Sequence, residues 1–338
     1  MQSPTFSHPV ELIAEIGGNH EGSIDKLYYL SELALSAGLR NLKYQLYTPE
    51  SLVNPLYSLE RFEHFKRFTL DPEVYIDLFK HLRSIQPDIK ISVSAWSISL
   101  LSLFLPHIDY IKIGSGDLGF LRIHHLSASS RLPVVISTGL SSLSEVEYIY
   151  SLYHSNIHQI GTNLFFLHCV SSYPTPDEYI NFARFSELIG KFGIGSIGYS
   201  HHHVETFPLY YFLSHGARII EFHFTDNKDS SEFRDHQLSL TPSDLPNLFR
   251  AIELYACNNK VILGNIAELV NNNRNEFRRS LFASHDLSVG HTISVDDLTV
   301  LRPLVGIDAI YEDDVIGLTI TKPVAQGHAI TWEHVALS

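Results

Sequence analysis

The sequence is poor in cysteine, in positive charge and in long apolar runs. Two cysteines among 338 residues, Cys169 and Cys257, are too few for a disulfide scaffold and favour a reducing cytoplasm. Lys and Arg number 24 against 37 Asp and Glu, so the net charge of −13 leaves no basic stripe for nucleic acid. No apolar run approaches the roughly 20 residues of a membrane span, and the first residues show no signal-peptide pattern. We therefore expect a cytoplasmic protein that binds neither nucleic acid nor membranes.

Hydrophobic residues make up 44% of the chain and charged residues 18%, a composition typical of globular proteins. The length exceeds one ordinary core, so we expect one large and one small domain. An Asn-rich stretch indicates a linker, and after it segments 287–298 and 324–335 share Gly-His, Ile, a small hydroxyl residue and an acid. We predict a domain over 1–258, a linker over 259–278, and a compact β-rich domain over 279–338.

Short β-branched apolar runs alternate with amphipathic segments through the first 258 residues. Eight runs are typical of strands buried on both faces: 10–16, 41–46, 90–94, 109–113, 133–137, 163–169, 196–199 and 218–224. Ser23 and the Ser142/Glu145 pair have the positions of helix caps. Eight strand–helix units in about 250 residues predict a (β/α)8 TIM barrel. A doubly wound open sheet is the alternative, although no G-x-G-x-x-G follows the first run.

Each predicted strand ends in hydrogen-bonding side chains. A lone buried lysine or strand-end serine is usually structural, but barrel active sites lie at these ends and eight polar ends together predict a site. The residues are Glu15, Lys43, Gln45, Ser94, Lys112, Ser115, Ser137, Thr138, His168, Ser171, Tyr173, Ser200, His201, His202, His203, Glu221 and His223, with Asn19 and His20 just beyond Glu15.

These side chains sort by chemistry. Lys43 and Lys112, with the serines, suit a phosphate or carboxylate. His202 and His223 lie on neighbouring strands and suit a divalent metal such as Mn²⁺, Zn²⁺ or Mg²⁺, although a structural role for these histidines stays open. Glu15 could orient hydroxyl groups or transfer a proton, against the alternative of a structural hydrogen bond.

Nine motifs carry a family resemblance. They are A-E-I-G-G-N-H-E-G (14–22), L-K-Y-Q-L (42–46), I-K-I-G-S-G-D (111–117), V-I-S-T-G-L (135–140), L-H-C-V-S-S-Y-P-T-P (167–176), I-G-Y-S-H-H (197–202), I-E-F-H-F-T (220–225), R-R-S-L-F-A (278–283) and V-L-R-P (300–303). Together they resemble the N-acetylneuraminate (sialic acid) synthase family, with the last two in its antifreeze-like (SAF) domain. The resemblance implies a TIM barrel joined to a SAF domain.

The resemblance also implies an activity. Members are transferases that form a carbon–carbon bond between phosphoenolpyruvate and an N-acylated hexose such as N-acetylmannosamine. The products are a nine-carbon 2-keto acid and phosphate. The implied cofactor is a divalent metal, Mn²⁺ first with Mg²⁺ or Co²⁺ as alternatives. The implied assembly is a homodimer that exchanges its SAF domains.

Residue roles follow from the same motifs. His202 and His223 would bind the metal, and Glu15 would contact the reacting carbons. Phosphoenolpyruvate would be held by Lys43, Ser94, Lys112, Ser115, Ser137, Ser171 and Ser200. The amino sugar would contact Gln45, Tyr173 and Asp235, and its acyl group would meet Arg302 of the partner's SAF domain.

Three positions depart from the family pattern. His201 replaces a usual Asp, so a carboxylate near the metal would be missing or replaced by imidazole. Phe222 replaces Lys or Arg, and E-F-R-D (232–235) replaces P-G-P-D. These changes leave the acceptor open among N-acetylmannosamine and the precursors of legionaminic, pseudaminic or other nonulosonic acids.

Three other functions are weighed. A 3-deoxy-ulosonate phosphate synthase would need a second cationic cluster, for which only Arg234 and Arg302 are available. A non-catalytic sugar-binding protein predicts loss of Glu15, a lysine or a metal histidine, and all are present. A metal-dependent hydrolase would leave the lysine and serine set unexplained.

Overall fold

The computed structural model describes residue 6 and residues 8–154, 158–229, 233–258, 270 and 273–336. The chain divides into two units, Met1–Cys257 and Asn258–Ser338. Most of the linker predicted at 259–278 lies outside the described residues, as do Glu232 and the side chain of Cys257. None of the described helices combines the length and the apolar character that crossing a membrane requires.

Eight parallel strands close into a barrel in the first unit, each bonded to its neighbours in chain order. They are β1 (Glu11–Glu15), β2 (Asn41–Leu46), β3 (Lys90–Ala95), β4 (Tyr110–Ile113), β5 (Val134–Ser137), β6 (Leu164–His168), β7 (Ile197–His201) and β8 (Ile219–His223). β1 pairs with β8 from Glu11 opposite Ile219 to Glu15 opposite His223, which closes the sheet. The TIM-barrel prediction is confirmed and the open-sheet alternative is wrong.

Helices follow the strands in the described part of the first unit. They are α1 (Ile24–Ser36), α2 (Pro49–Leu52), α3 (Leu59–Phe68), α4 (Pro72–Ile85), α5 (Ile98–Phe104), α6 (Leu121–Ser129), α7 (Leu143–His154), α8 (Phe182–Phe192), α9 (Phe207–Ser214) and α10 (Leu245–Asn258). The Ser23 hydroxyl accepts a hydrogen bond from the Lys26 N–H, which caps α1 as predicted. Before α7, the Glu145 carboxylate accepts from the Ser142 N–H at 2.8 Å, and the Ser142 hydroxyl accepts from the Glu145 N–H at 3.3 Å.

The strands alternate between residues that face the helices and residues that face the barrel interior. Towards the N-terminal end of the strands the interior holds an apolar cluster of Phe6, Ile13, Tyr110, Val135, Phe165, Leu167 and Ile219. One step further along, at the same two-residue period, the inward positions are polar and buried: Glu15, Lys43, Ser94, Lys112, Ser137, Ser200 and Glu221, with His223 one further step along β8. The apolar cluster therefore closes one end of the polar layer to water.

The second unit is a small β-rich domain, as predicted. β9 (Ser280–Ala283) pairs antiparallel with β10 (Leu298–Leu301), and β11 (Thr319–Ile320) pairs with β12 (Val335–Ala336). The predicted repeat is structural, because Leu287 and Val324, at equivalent positions, exchange backbone hydrogen bonds of 2.8 and 2.9 Å. Each copy then passes through a glycine with positive φ, +88° at Gly290 and +75° at Gly327. The two copies thus pack around one core, to which Leu281, Ile293 and Ile330 belong.

Candidate active site

Lys43 stands at the C-terminal end of the barrel interior with an acid and a hydroxyl. Its Nζ contacts Glu15 Oε2 and donates a hydrogen bond to Ser94 Oγ at 3.2 Å. The parallel register places Glu15 of β1 directly opposite Lys43 of β2. All three side chains are buried. The strand pairing therefore assembles this part of the site without any loop.

Lys112 lies in a second group beside the first. Its Nζ donates to Ser137 Oγ at 2.7 Å and lies 3.6 Å from Glu221 Oε1. The same Glu221 oxygen accepts a hydrogen bond from Ser200 Oγ at 2.9 Å. Sequence reasoning named Glu221 only as a polar strand end and gave it no role. The two-residue period that puts Glu221 and His223 on one face of β8 was the signal for it.

The charges of this layer depend on one another. Burial lowers the pKa of Lys43 to about 7, an effect that Glu221 opposes and Lys112 reinforces. Burial would raise the pKa of Glu221, but Lys112, Lys43 and the Ser200 hydroxyl outweigh it and lower that pKa to about 2. Glu221 is therefore anionic at neutral pH, while Lys43 holds its proton weakly. An anion bound beside Lys43 would favour its charged form.

Ser115 and Ser171 lie in the turns after β4 and β6, where both approach Gly139. Ser115 Oγ accepts a hydrogen bond from the Gly139 N–H at 3.0 Å. A Cβ added at Gly139 would lie 2.7 Å from Ser171 Oγ and from Cys169 Sγ. This crowding explains the glycine of the V-I-S-T-G-L motif.

His202 and His223 are neighbours, with ring centroids 5.7 Å apart. Burial lowers the pKa of His202 to about 4 and that of His223 to about 3, so both rings are neutral at pH 7. His202 Nδ1 donates to the carbonyl of Val170 at 2.9 Å, which leaves the lone pair on Nε2. Buried His223 Nδ1 has no hydrogen-bond partner among the described residues, and Asp235 Oδ2 lies 3.6 Å from it. Neutral imidazoles with free lone pairs fit a divalent cation.

Two of the predicted sugar-binding side chains, those of Tyr173 and Asp235, lie next to this histidine pair. The Tyr173 ring lies 4.2 Å from the His202 ring and 6.1 Å from the His223 ring, measured between centroids. Asp235 is buried in the 3₁₀ turn Arg234–Leu238, and burial raises its pKa. These residues lie at the histidine side of the polar layer.

The side chains of Gln45 and Glu15 both lie close to Gly17. Its φ is +49°, which glycine adopts without strain. A Cβ added there would lie 2.8 Å from Glu15 Oε1 and 3.1 Å from Gln45 Nε2. A side chain at this position would therefore displace either residue.

Two of the three departures lie outside the polar layer. His201 is on the helix-facing side of β7, where its Nδ1 lies 3.4 Å from the Tyr199 hydroxyl, and burial lowers its pKa well below the usual value. Phe222 is fully buried in the core between strands and helices. Of the two outcomes expected at this position, a missing carboxylate or its replacement by imidazole, the second is not met, because strand alternation turns the His201 ring away from that of His202.

The third departure does border the site. Phe233 covers Gly18, where an added Cβ would lie 2.5 Å from the Phe233 ring, and its ring stacks on His64 of α3 at 5.9 Å. The Arg234 guanidinium lies 5.0 Å from the centroid of the Tyr173 ring. The bulkier residues therefore add an aromatic wall and an exposed cation next to the predicted sugar-binding residues.

Arg302 belongs to the second unit, where it follows β10 and its guanidinium lies 5.9 Å from the centroid of Phe277. The second unit also contains a group of three potential metal ligands, none of them a predicted site residue. Its members are His285, His291 and Asp297.

Comparison with known proteins matches the NeuB family to residues 30–261 and the SAF domain to residues 278–336. The N,N'-diacetyllegionaminic acid synthase of Legionella pneumophila is 28% identical over 96% of this chain and 94% of its own length. The N-acetylneuraminate-9-phosphate synthase of Drosophila melanogaster is 32% identical over 72% of this chain and 67% of its own.

Among solved structures, the N-acetylneuraminic acid (sialic acid) synthetase of Leptospira borgpetersenii in complex with citrate is 25% identical. It covers 79% of this chain and 93% of its own, with a TM-score of 0.69. The resemblance predicted from the motifs is confirmed. The chain belongs to the NeuB family and ends in a SAF domain.

Proposed function

We propose that this chain condenses phosphoenolpyruvate with an N-acylated hexose to give a nine-carbon 2-keto sugar acid and phosphate. The observation that supports this proposal most is a layer of buried polar side chains whose hydrogen-bonding capacity is incompletely used. Glu15 Oε1, Glu221 Oε2 and His223 Nδ1 are all buried and lack hydrogen-bond partners among the described residues, and Asp235 Oδ1 is paired only loosely with the exposed Arg234, at 3.4 Å. Buried polar atoms are costly unless a ligand completes them. The names of the two synthases above agree with this reaction.

The lysines and serines would hold phosphoenolpyruvate. Lys43 and Lys112 each stand beside a serine hydroxyl, at 3.2 and 2.7 Å. The ammonium groups would face the phosphate and carboxylate as point charges, and the hydroxyl groups would donate hydrogen bonds to the same oxygens. Ser115, Ser171 and Ser200 would complete the set from the other strand ends.

His202 and His223 would hold a divalent cation, for which we propose Mn²⁺ with Mg²⁺ or Co²⁺ as alternatives. The cation would supply Lewis acidity to the aldehyde oxygen of the open-chain sugar. Gln45, Tyr173 and Asp235 would orient the sugar so that its C1 faces C3 of phosphoenolpyruvate. Holding both reactants in this way makes the step effectively unimolecular.

Glu15, whose carboxylate contacts Lys43, would act in the steps that follow. C3 attacks C1 to form the carbon–carbon bond, and the aldehyde oxygen takes a proton from solvent to become a hydroxyl group. Positive charge develops at C2, where the Glu15 carboxylate would stabilise it. Water then adds to C2 while Glu15 accepts its proton. The C2–O bond to phosphate breaks, phosphate leaves with its bridging oxygen and takes the proton from Glu15, and the new C2 hydroxyl group loses its proton to solvent as the ketone forms.

The test is a panel of acceptors with phosphoenolpyruvate and Mn²⁺, read by phosphate release and product mass. We expect turnover with N-acetylmannosamine, its 6-phosphate or a 2,4-diacetamido hexose, and loss of turnover with a chelator. Turnover with arabinose 5-phosphate alone would favour a 3-deoxy-ulosonate phosphate synthase. Binding of phosphoenolpyruvate without turnover of any acceptor would favour a non-catalytic protein.

The scarcity of cysteine leads us to propose a cytoplasmic location for the reaction.

We also propose a homodimer in which each SAF domain completes the other subunit's site with Arg302. A linker of roughly 20 residues is long enough to reach a neighbouring barrel, and the guanidinium suits an acyl carbonyl or hydroxyl group. An Arg302→Ala chain mixed with a Glu15→Gln chain should regain activity, because one hybrid site receives both intact residues. Subunits that exchange and stay inactive would contradict the exchanged arrangement.

A further inference from the structure

His285, His291 and Asp297 converge on one point of the second unit, and the proposed function uses none of them. His291 Nε2 lies 2.9 Å from Asp297 Oδ2, and His285 Nε2 lies 3.2 Å from Asp297 Oδ1. One ligand atom from each residue falls within 4.8 Å of the other two. We propose that these three side chains form a binding site for a transition-metal ion of the Zn²⁺ class.

The carboxylate is held in a fixed orientation. Asp297 Oδ2 accepts hydrogen bonds from the N–H of Ser294 at 2.7 Å and from its hydroxyl at 2.8 Å. Asp297 is buried, whereas both histidines are partly exposed. Carboxylates that bind metal ions are commonly fixed by such outer hydrogen bonds. Asp297 is therefore preorganised, and an ion can reach it from the histidine side.

The hydrogen bonds of Ser284 select the tautomer of His285, and so decide whether the ring nitrogen next to Asp297 carries a hydrogen or a lone pair. The Ser284 hydroxyl donates its only hydrogen to the carbonyl of Asp296 at 2.7 Å. It can therefore only accept from His285 Nδ1, which lies 3.0 Å away. In the neutral ring this leaves a lone pair on Nε2, 3.2 Å from a carboxylate oxygen. Two lone pairs at that distance repel unless a cation, a second proton or a metal ion, lies with them.

The donor set selects the class of ion. Two imidazole nitrogens and one carboxylate oxygen suit Zn²⁺ and its neighbours, whereas Mg²⁺ and Ca²⁺ prefer all-oxygen sites. Ligands about 2.0–2.1 Å from a tetrahedral Zn²⁺ lie about 3.3 Å from one another. The observed separations of 2.9 and 3.2 Å involve the two different oxygens of Asp297, and one ligand atom from each residue lies within 4.8 Å of the other two, so side-chain rotations would bring the three ligands to this spacing. A water molecule would complete the coordination.

The repeat supplies an internal control. In the second copy, Lys322, His328 and His334 occupy the positions of His285, His291 and Asp297. Lys322 pairs with Glu333 at 3.4 Å, and His334 caps its turn through the Thr331 N–H at 3.0 Å. The second copy thus keeps the turn and an exposed histidine but has no carboxylate at its centre. The three-ligand group is therefore not a by-product of the fold.

The experiment is calorimetric titration of tag-free, chelator-treated full-length protein with Zn²⁺. The His202→Gln, His223→Gln background removes the two barrel histidines from the measurement. We expect one Zn²⁺ per chain in this background, with binding weakened at least tenfold by His285→Gln, His291→Gln or Asp297→Asn. His328→Gln should leave binding unchanged. With Co²⁺ as probe, visible absorption bands should appear in the background and disappear in the His291→Gln variant.

The same substitutions in the natural chain guard against unfolding of that background. There the number of bound Zn²⁺ ions should fall by one in the His291→Gln chain and stay constant in the His328→Gln chain. Three results would overturn the proposal. Zn²⁺ binding could be unaffected by all three ligand substitutions, or His328→Gln could reduce it as much as they do. It could also be absent from the His202→Gln, His223→Gln background while the His291→Gln substitution leaves the number of ions bound to the natural chain unchanged. Because the readout is binding, a failed acceptor panel would leave this result unaffected.

Discussion

The barrel interior carries a glutamate–lysine pair at each end, and the two pairs differ in their surroundings. At the N-terminal end, both carboxylate oxygens of Glu11 accept hydrogen bonds from Lys90 Nζ at 3.1 Å. The Lys90 side chain remains 20% exposed. At the C-terminal end, Glu15 contacts Lys43, and the two side chains are only 1% and 6% exposed. The two glutamates belong to the same strand and have the same side-chain chemistry.

The difference shows that incomplete pairing, rather than residue type, distinguishes the site. Glu11 uses both oxygens on one ammonium group, which water also reaches, so this pair has little left to offer a ligand. Glu15 Oε1 has no partner in the part of the chain that the structure describes. A second buried pair, Lys112 and Glu221, stands beside it. Four charges in a buried layer can reorganise around a bound anion, whereas the partly buried Glu11–Lys90 pair is already satisfied.

The sharpest test of this comparison is the glutamine substitution at each position. Glu15→Gln keeps the size of the side chain but removes the base and the negative charge beside C2. We expect kcat to fall about 100-fold or more with little change in phosphoenolpyruvate binding. Glu11→Gln, the matched control, should stay within twofold of the natural chain. Steady-state kinetics decide the matter, and equal losses in both variants would make Glu15 a structural residue.

The next largest effect concerns phosphoenolpyruvate affinity. Lys112→Met keeps the aliphatic stem but removes a charge-assisted hydrogen bond, worth about 1.5–3 kcal/mol or roughly 10- to 150-fold. We expect KM for phosphoenolpyruvate to rise by that factor. Lys90→Met removes the ammonium group of the Glu11–Lys90 pair in the same way and should leave KM for phosphoenolpyruvate unchanged. A natural KM in the Lys112→Met variant would remove this lysine from the anion site.

A smaller effect should appear in the pH dependence. Because burial lowers the pKa of Lys43 to about 7, the free protein loses this charge as the pH rises from 7 to 9. Glu15, Glu221 and Lys112 are the charged groups that face it. Phosphoenolpyruvate affinity should then fall by up to about tenfold per pH unit. Between pH 7 and 9 the free energy of unfolding should increase, because Lys43 keeps its proton in the unfolded chain but releases it in the folded one.

Calorimetric titration with phosphoenolpyruvate from pH 6 to 9 measures this dependence. Lys43→Arg, whose guanidinium stays charged, should flatten it. An affinity that is constant across the range in the natural chain would show that Lys43 keeps its proton throughout.

The strands and their polar ends were predictable because their signal is local. Each buried strand is a short apolar run with polar residues at or near its C-terminal end, so Lys43, Lys112 and Glu15 could be named from position alone. The sequence predicts Glu221 only as a polar strand end, because its contacts are with Lys112 and Ser200, which lie on β4 and β7. A linear sequence does not show which strands face one another across a closed barrel.

The three departures from the family pattern also show that a sequence does not reveal contacts between residues distant in the chain. His201 lies between two predicted site residues, Ser200 and His202, and the family's usual Asp at this position implies that a carboxylate near the metal is either missing or replaced by its imidazole. Strand alternation instead turns its ring towards Tyr199. The E-F-R-D stretch is predicted only as a departure from the family pattern, and the contacts of Phe233 with Gly18 and of Arg234 with Tyr173 join residues far apart in the chain. Local periodicity predicts which face a residue occupies, but not what it meets there.

The smallest expected effect belongs to the Glu11–Lys90 pair itself, whose side chains are 5% and 20% exposed. A double-mutant cycle of Glu11→Gln and Lys90→Met should give a coupling energy of about 1 kcal/mol, because water reaches the Lys90 ammonium group, partly screens the pair and competes for its hydrogen bonds. Denaturant unfolding at low and high salt should show this value shrinking as ionic strength rises. The corresponding cycle of Glu15→Gln and Lys43→Met should give a larger coupling that salt barely changes, since each single substitution leaves a buried group without its partner. A coupling at the Glu11 end that equals the one at Glu15 and resists salt would mean that both pairs are desolvated. The distinction between a structural end and a functional end of the barrel would then have to rest on the neighbouring Lys112 and Glu221 alone.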